Sequence, residues 1–452
     1  MASSPPSLVF SVEKSKPILI RPSKPTPHEF KYLSDIDDQE GLRFQIPTIH
    51  FYQKNEIMDG RDPVTVVKSA IAQALVHYYP FAGRLREEGN NRKLMVECTG
   101  EGIMFIEANA SVSLEQFGDA LQPPFPGLED LLFHVPESSG VTRLTCGGFI
   151  FALRLNHTMS DAAGLVQFMN AVAEIARGED IPSVKPVWNR ELLNARSPPR
   201  PSCVHREYDE VLDTKGTLML LDDMAHRSFF FGPLEKSILR KQVPSHLRNC
   251  SLFEILTACL WRCRTIALGV EDPHEEVRVI CIVNARSRIN PPLPLGYYGN
   301  AFAFPVAVTT VGKLCQNPIS YALELVQKAK TSVTDEYMRS LADLMVTKSR
   351  PHFAVVGAYL VSDLSRAGFE EIDFGWGKPV YGGPAKGGVG AIPGVASFYI
   401  PMQNRKGENG LVVPICLPGP AMERFVVELE KMLKGPLEEV VCTSFEEIGS
   451  AI

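Results

Sequence analysis

The chain has 452 residues, 45% of them hydrophobic and 22% charged, and a formal net charge of -6 at pH 7. This length exceeds one ordinary core and predicts two domains, and the mildly acidic balance, with no basic stripe, argues against a nucleic-acid partner. No run is long and apolar enough for a membrane span, no cationic start leads into an apolar signal, and the ten cysteines are scattered without a Cys-x-x-Cys pair, so the expected setting is the cytosol with reduced thiols.

In chain order, residues 8–20 read as a strand ending in a Pro-rich loop. Over residues 62–79, Val64, Val67, Ala70, Ile71, Ala74 and Leu75 recur at helical spacing, Asp62 supplies an N-cap, Pro63 fits the first helical position, and Pro80 requires a stop. Residues 92–100 and 102–110 alternate like two strands around Gly100 and Gly102, and 146–156 is a further strand. Residues 160–178 predict a helix with Ser160 or Asp161 at its start and Gly178 at its end. Residues 183–203 are rich in Pro and polar residues and carry no sustained period, which predicts a linker. The expected organisation is a first domain over 1–185, a crossover over 186–220 and a second domain over 221–452. The second half reads as a strand at 227–232, a helix at 251–268, a strand at 277–286 and a helix at 320–333. Strand-like segments then run to 410–418, and a helix follows at 421–435. Alternating helices and strands in both halves predict an α/β fold built from mixed sheets flanked by helices.

Phosphate-loop, dinucleotide and nucleophile-elbow motifs are absent, and no His/Cys/Asp group has zinc spacing, which disfavours nucleotide, redox, serine-hydrolase and metal chemistry. His157, in the stretch LRLNHTMSDAAG, follows a predicted strand and precedes a predicted helix. Strand ends beside helix starts point side chains into clefts, and imidazole accepts a proton near neutral pH. It reads either as a general base or as a hydrogen-bonded core histidine. Asp161 reads as a helix N-terminal carboxylate, as a group that orients His157, or as the partner of a buried arginine, for which Arg286 at the end of VNAR is the candidate. Asp373, Phe374, Gly375, Trp376 and Gly377 place an acid, two aromatics and two glycines in five residues, a composition that predicts a tight structural turn.

HTMSD near the middle and DFGWG some 210 residues later resemble, in order and separation, the two hallmark motifs of the plant BAHD acyltransferases. YYPFAGRL (residues 78–85) and LGYYGNAF (residues 295–302) add to a resemblance that spans nearly the whole chain. Within the family the sequence is most similar to volatile-ester alcohol acyltransferases, among them the benzyl alcohol benzoyltransferases and methanol anthraniloyltransferases. The resemblance implies two chloramphenicol-acetyltransferase-like domains with a channel between them. It places His157 at the centre as general base, with acyl-CoA entering from one face and the alcohol from the other. It implies that Asp161 faces away from the chemistry and pairs with Arg286. It implies that the DFGWG loop sits away from the reacting atoms and is mainly structural, although Asp373 is counted beside His157 as a catalytic residue, and that Gly164, Phe374, Gly375, Trp376 and Gly377 are structural. Ser251 is the candidate contact for CoA. Acyl-CoA, with a benzoyl, anthraniloyl or acetyl group, is a co-substrate, no permanent cofactor or metal is implied, and a monomer is expected. The alternatives are an N-acyltransferase of the same fold and a weakly active or non-catalytic homologue. The last arises because an apolar strand usual in the family is missing before residue 143, which predicts an unpaired edge beside the strand leading to His157.

Overall fold

The computed structural model describes residues 8–133, 135, 138–211, 224–388 and 395–434. The end of the expected crossover, 212–220, lies outside them. The first half contains β1 (Val12–Lys14), β2 (Ile18–Ile20), β3 (Phe30–Tyr32), β4 (Gln45–Tyr52), β5 (Arg84–Glu88), β6 (Lys93–Glu97), β7 (Ile103–Ala110), β8 (Ser138–Arg143) and β9 (Phe149–Asn156). The second contains β10 (Met224–Phe231), β11 (Glu276–Cys281), β12 (Val283–Asn284), β13 (Phe302–Ala303), β14 (Val306–Thr310), β15 (Ala358–Asp363), β16 (Tyr381–Pro384), β17 (Ala396–Gln403) and β18 (Asn409–Pro418). The helices of eight or more residues are α1 (Pro63–His77), α2 (Ala162–Ala176), α3 (Pro233–Lys241), α4 (Leu252–Leu268), α5 (Ile319–Thr331), α6 (Asp335–Thr347) and α7 (Gly419–Lys434).

One mixed sheet runs β1-β7-β8-β9-β4-β16 with β2 also on β7, and a second runs β10-β18-β17-β15-β11-β14. A three-stranded sheet β3-β6-β5 and a two-stranded pair β12-β13 complete the set. The β7–β8, β11–β15 and β15–β17 pairs are parallel. β9 is apolar along both faces because both are covered. Phe149, Phe151 and Leu153 join the core beneath α1 and α2, whereas Ile150 and Ala152 join a core that includes Ile400 and Val412 from the second half. Burial of each such phenylalanine contributes about 1.5–3 kcal/mol. The six α1 residues picked out by spacing are the six it buries. Its cap does double duty: Asp62 accepts from the Thr65 amide at 3.1 Å and from Arg143 of β8 at 2.7 and 2.9 Å. The Arg143 guanidinium holds the Asp62 carboxyl down at about 2.

From the second half, β16 pairs antiparallel with β4, Tyr381 opposite Phe51, and Phe374 and Trp376 bury in the core of the first sheet. The structure corrects one expectation: the strand before residue 143 is present. Ser138–Arg143 lies between β7 and β9 and pairs with both. Its small polar residues hide the pattern of a buried strand. Ser138, Ser139 and Thr142 are all buried, and the Ser139 hydroxyl donates to the Met104 carbonyl at 3.1 Å. At Gly140 the Phe133 ring fills the space, 2.5 Å from where a Cβ would stand, with the Ile106 carbonyl at 2.3 Å. Among the described residues, the edge left without a strand is confined to Arg154–Asn156, past the Leu153–Ser139 pair.

His50 on β4 is buried among Tyr52, Phe151 and Phe369. Burial pulls its pKa from 6.5 to about 3. The folded chain therefore keeps it neutral while the unfolded chain protonates it below 6.5, so its contribution is complete above that pH and drains as the pH falls towards the folded value. His50→Leu should flatten the acid limb of urea-unfolding stability across this window, and an unchanged slope would refute the assignment.

Candidate active site

β9 ends at Asn156, and His157–Met159 forms a single 3-10 turn before α2. The Asn156 side chain holds the turn by accepting from the Thr158 amide at 3.2 Å and from the Thr158 hydroxyl at 2.8 Å. The His157 amide donates to the Phe44 carbonyl at 2.8 Å. The half-buried ring lies between Phe44, with centroids 5.5 Å apart at 64°, and Phe302, at 5.7 Å and 49°. Its Nδ1 is buried with no hydrogen-bond partner among the described residues. Burial pushes the His157 pKa below the ordinary value, partly opposed by the charge of Asp161, so the imidazole is neutral near pH 7.

Asp161 resolves into a clamp. One carboxylate oxygen accepts from the Gly164 amide at 3.0 Å and from Arg286 at 2.8 Å, and the other from Arg286 at 2.7 Å and the Ala301 amide at 3.1 Å. Burial alone would raise its pKa, but Arg286 outweighs that and holds it below the ordinary value. Arg286 also donates to the Gly299 carbonyl at 2.7 Å. The helix-cap and arginine-partner readings both hold, and no hydrogen bond links Asp161 to the His157 ring among the described residues. Gly164 is required by close approach, since a Cβ there would stand 2.1 Å from the Tyr298 carbonyl and 2.5 Å from the Ser160 hydroxyl. Gly164→Ala should lower stability by about 1–3 kcal/mol through overpacking and reduce turnover by shifting the start of α2. A melting curve and turnover matching the wild type would contradict this.

Three further residues hold the turn and escape a reading by motif. Asp37 accepts from Arg190 at 2.7 Å and from the Asn300 backbone and side-chain amides at 2.9 and 2.8 Å. Asn300 then donates to the His157 carbonyl at 2.8 Å and the Thr158 carbonyl at 3.2 Å. Arg190, in the crossover, donates to the Met159 carbonyl at 2.8 Å and sits over Trp188, Tyr298 and Tyr297. Asn300 stands inside the LGYYGNAF segment, which was the available signal. Asp37 lies in an acidic run that looks solvated, and Arg190 in a stretch that looks like a linker.

The structure does not bring Asp373 to His157. One Asp373 carboxylate oxygen accepts from the Gly375 amide at 2.7 Å and the Gly377 amide at 2.8 Å, and its carbonyl accepts from Arg177. Gly375 and Gly377 have φ of 110° and 88°, where a side chain is strained. Phe374 packs on Tyr52 and Phe151, and Trp376 on Phe149. Asp373 is thus a turn residue that braces the strand leading to His157, not a group at the chemistry. Ser251 is the N-cap of α4, where Lys330 lies 3.4 Å from its hydroxyl. Among the described residues, no group of His, Cys, Asp and Glu is arranged to hold a metal and no helix is long and apolar enough to cross a membrane. The site therefore presents one neutral imidazole, fixed from the backbone side, able to take a proton from a weak acid.

Residues 10–432 match the Transferase family. The chain is 72% identical over 438 residues to benzyl alcohol O-benzoyltransferase of Petunia hybrida, covering 95% of each chain. It is 71% identical over 437 residues to that of Nicotiana tabacum, covering 94% of this chain and 95% of the other. It is 54% identical over 452 residues to alcohol acyl transferase 1 allele GSa of Malus domestica, covering 96% and 97%. Among solved structures it shares the fold of vinorine synthase, with a TM-score of 0.71 at 23% identity over 93% of this chain and 98% of that one. It also shares the fold of F. graminearum TRI101 complexed with coenzyme A and deoxynivalenol, with a TM-score of 0.72 at 14% identity over 89% and 98%.

Proposed function

The chain belongs to the BAHD-type Transferase family, and from that membership we propose that it transfers an acyl group from an acyl-CoA thioester to the hydroxyl of a small alcohol, with benzoyl-CoA and benzyl alcohol as the pair to be expected from its similarity to the benzoyltransferases. The observation that carries the mechanism is the neutral, backbone-anchored His157 ring. The alcohol's O–H donates to the imidazole as its oxygen attacks the thioester carbonyl. The C–O bond forms, the carbonyl π electrons move to the oxygen, and His157 holds the proton. Collapse of the tetrahedral oxyanion breaks the C–S bond, and His157 returns its proton to the leaving thiolate to give CoA-SH and the ester. Among the described residues no serine or cysteine hydrogen-bonds to the His157 ring, which supports direct transfer without an acyl-enzyme. Ser251 at the start of α4 is the proposed contact for CoA, where Lys330 lies 3.4 Å from its hydroxyl and pairs with Glu254 at 2.6 Å.

A grid of donors (benzoyl-, anthraniloyl- and acetyl-CoA) against acceptors (benzyl alcohol, methanol, benzylamine) tests this, with products identified by mass. Benzyl benzoate formed with stoichiometric CoA-SH is the expected result. Amide formation from benzylamine in preference to any ester would replace the proposal with N-acyl transfer.

A further inference from the structure

Between Leu193 and Glu207 the crossover lies against α6 with a single buried residue, His205. A segment with so little buried apolar surface owes its place to polar bonds. Two side chains of α6 supply them. Asp343 accepts from the Arg196 and Arg200 amides at 2.7 and 2.9 Å and from the Arg196 side chain at 2.7 Å. The Ser340 hydroxyl accepts from the Ser202 and Cys203 amides, both at 2.9 Å.

The second anchor runs through His205. The Ser340 oxygen has two lone pairs, and the two amides fill them. Its own hydrogen therefore goes to His205 Nε2, 2.9 Å away. His205 Nδ1 then carries the ring's proton and donates to Glu207 at 3.1 Å, and the Tyr337 hydroxyl donates to the same carboxylate oxygen. Tyr337 also packs edge-on against the imidazole, with centroids 4.5 Å apart at 63°. All four side chains are buried, and this order of donors and acceptors admits only the neutral ring. An added proton lands on Nε2, where the Ser340 oxygen has no lone pair left, and the Ser340 hydrogen loses its acceptor. Glu207 gains no bond in return, because it already holds Nδ1–H.

Glu207 faces the ring from its own segment, and Tyr337 and Ser340 face it from α6, with Cys203 and Tyr208 near Tyr337. On β11, Glu276 and Arg278 pair with Arg206 and Asp209. Along α6, Glu336 and Asp343 pair with Arg196. Burial would raise the Asp343 carboxyl, but the Arg200 and Arg196 donors outweigh it and hold it below the ordinary value, so the first anchor keeps its charge in mild acid.

We propose that this seam is an acid-operated latch, in which protonation of His205 releases residues 202–207 from α6 while Asp343 keeps hold of residues 196–200. Released, the imidazole stands in water and takes a proton below about pH 6.5. Each pH unit below that point therefore multiplies the released fraction about tenfold. Amide hydrogen exchange of the full chain, corrected for the intrinsic effect of pH, reads the latch at the Ser202 and Cys203 amides and does not depend on acyl transfer. The expected result is a loss of protection there of about tenfold per pH unit below about pH 6.5, absent at the Arg196 and Arg200 amides. His205→Gln keeps an acceptor for Ser340 and has nothing to protonate, so its protection stays level. If that variant does not fold, nitrogen chemical shifts of the wild-type histidine rings decide. His205 should then show the Nδ1–H tautomer near neutrality and the charged ring over the range in which the amides open. Level protection at Ser202 and Cys203 in the wild type, an equal fall in His205→Gln, or an Nε2–H tautomer would overturn the proposal.

Discussion

Replacing His157 with alanine lowers the turnover for ester formation by about 10²–10⁴-fold, the range that one positioned general base supplies. The fold survives, because the turn is held by groups the substitution does not touch. Asn300 reaches the backbone carbonyl of residue 157, which the substitution leaves in place, and the residue 157 amide still donates to Phe44. The loss falls on kcat with little change in KM, since the ring acts on a proton in flight, not on ground-state binding. Circular dichroism and melting of the variant separate this from unfolding. A folded His157→Ala enzyme with most of its turnover would exclude His157 as the base.

Asp161→Asn costs about 3–5 kcal/mol of stability, the usual penalty for leaving a buried charge without its partner. The neutral amide cannot balance Arg286. It has one acceptor oxygen for the four donors that now converge on the carboxylate: Gly164, Ala301 and the two arms of Arg286. Its NH2 also points a donor at donors. Activity falls with it, through displacement of the turn, although Asp161 never touches the reacting atoms. Urea unfolding measures the first effect and turnover the second. Arg286→Met should reproduce both, and the double variant should lose less than the sum of the singles because the two residues act as one unit. Strictly additive losses would show that the pair is not coupled.

Much of this was legible in the sequence where local signals and packing agree. α1 announces itself through its cap, its proline and its six-residue apolar face. The position of His157 at a strand end followed from the apolar run before it and the helix pattern after it. β8 is hard to see because burial there rests largely on serine, glycine and threonine, with the Phe133 ring from just before the strand filling the space at Gly140. α6 was read as part of a run of strand-like segments, although Thr334 caps it by accepting from the Tyr337 amide at 3.1 Å. Asp37 and Arg190 are separated by 153 positions in sequence, and no local pattern reports a contact at that distance. The turn at Asp373 was correctly legible as a turn. The resemblance likewise implies a loop away from the reacting atoms, although it counts Asp373 beside His157, and the Asp373 carboxylate accepts from the Gly375 and Gly377 amides of its own loop.

The most direct test of the account is the pH dependence of kcat/KM for benzoyl transfer to benzyl alcohol. Burial lowers the pKa of His157 from 6.5, and the base works only when neutral, so the profile should be flat at and above neutrality and fall with unit slope in acid, with its midpoint below 6.5. A profile that keeps rising above pH 8 would contradict a neutral His157 as the group that takes the proton.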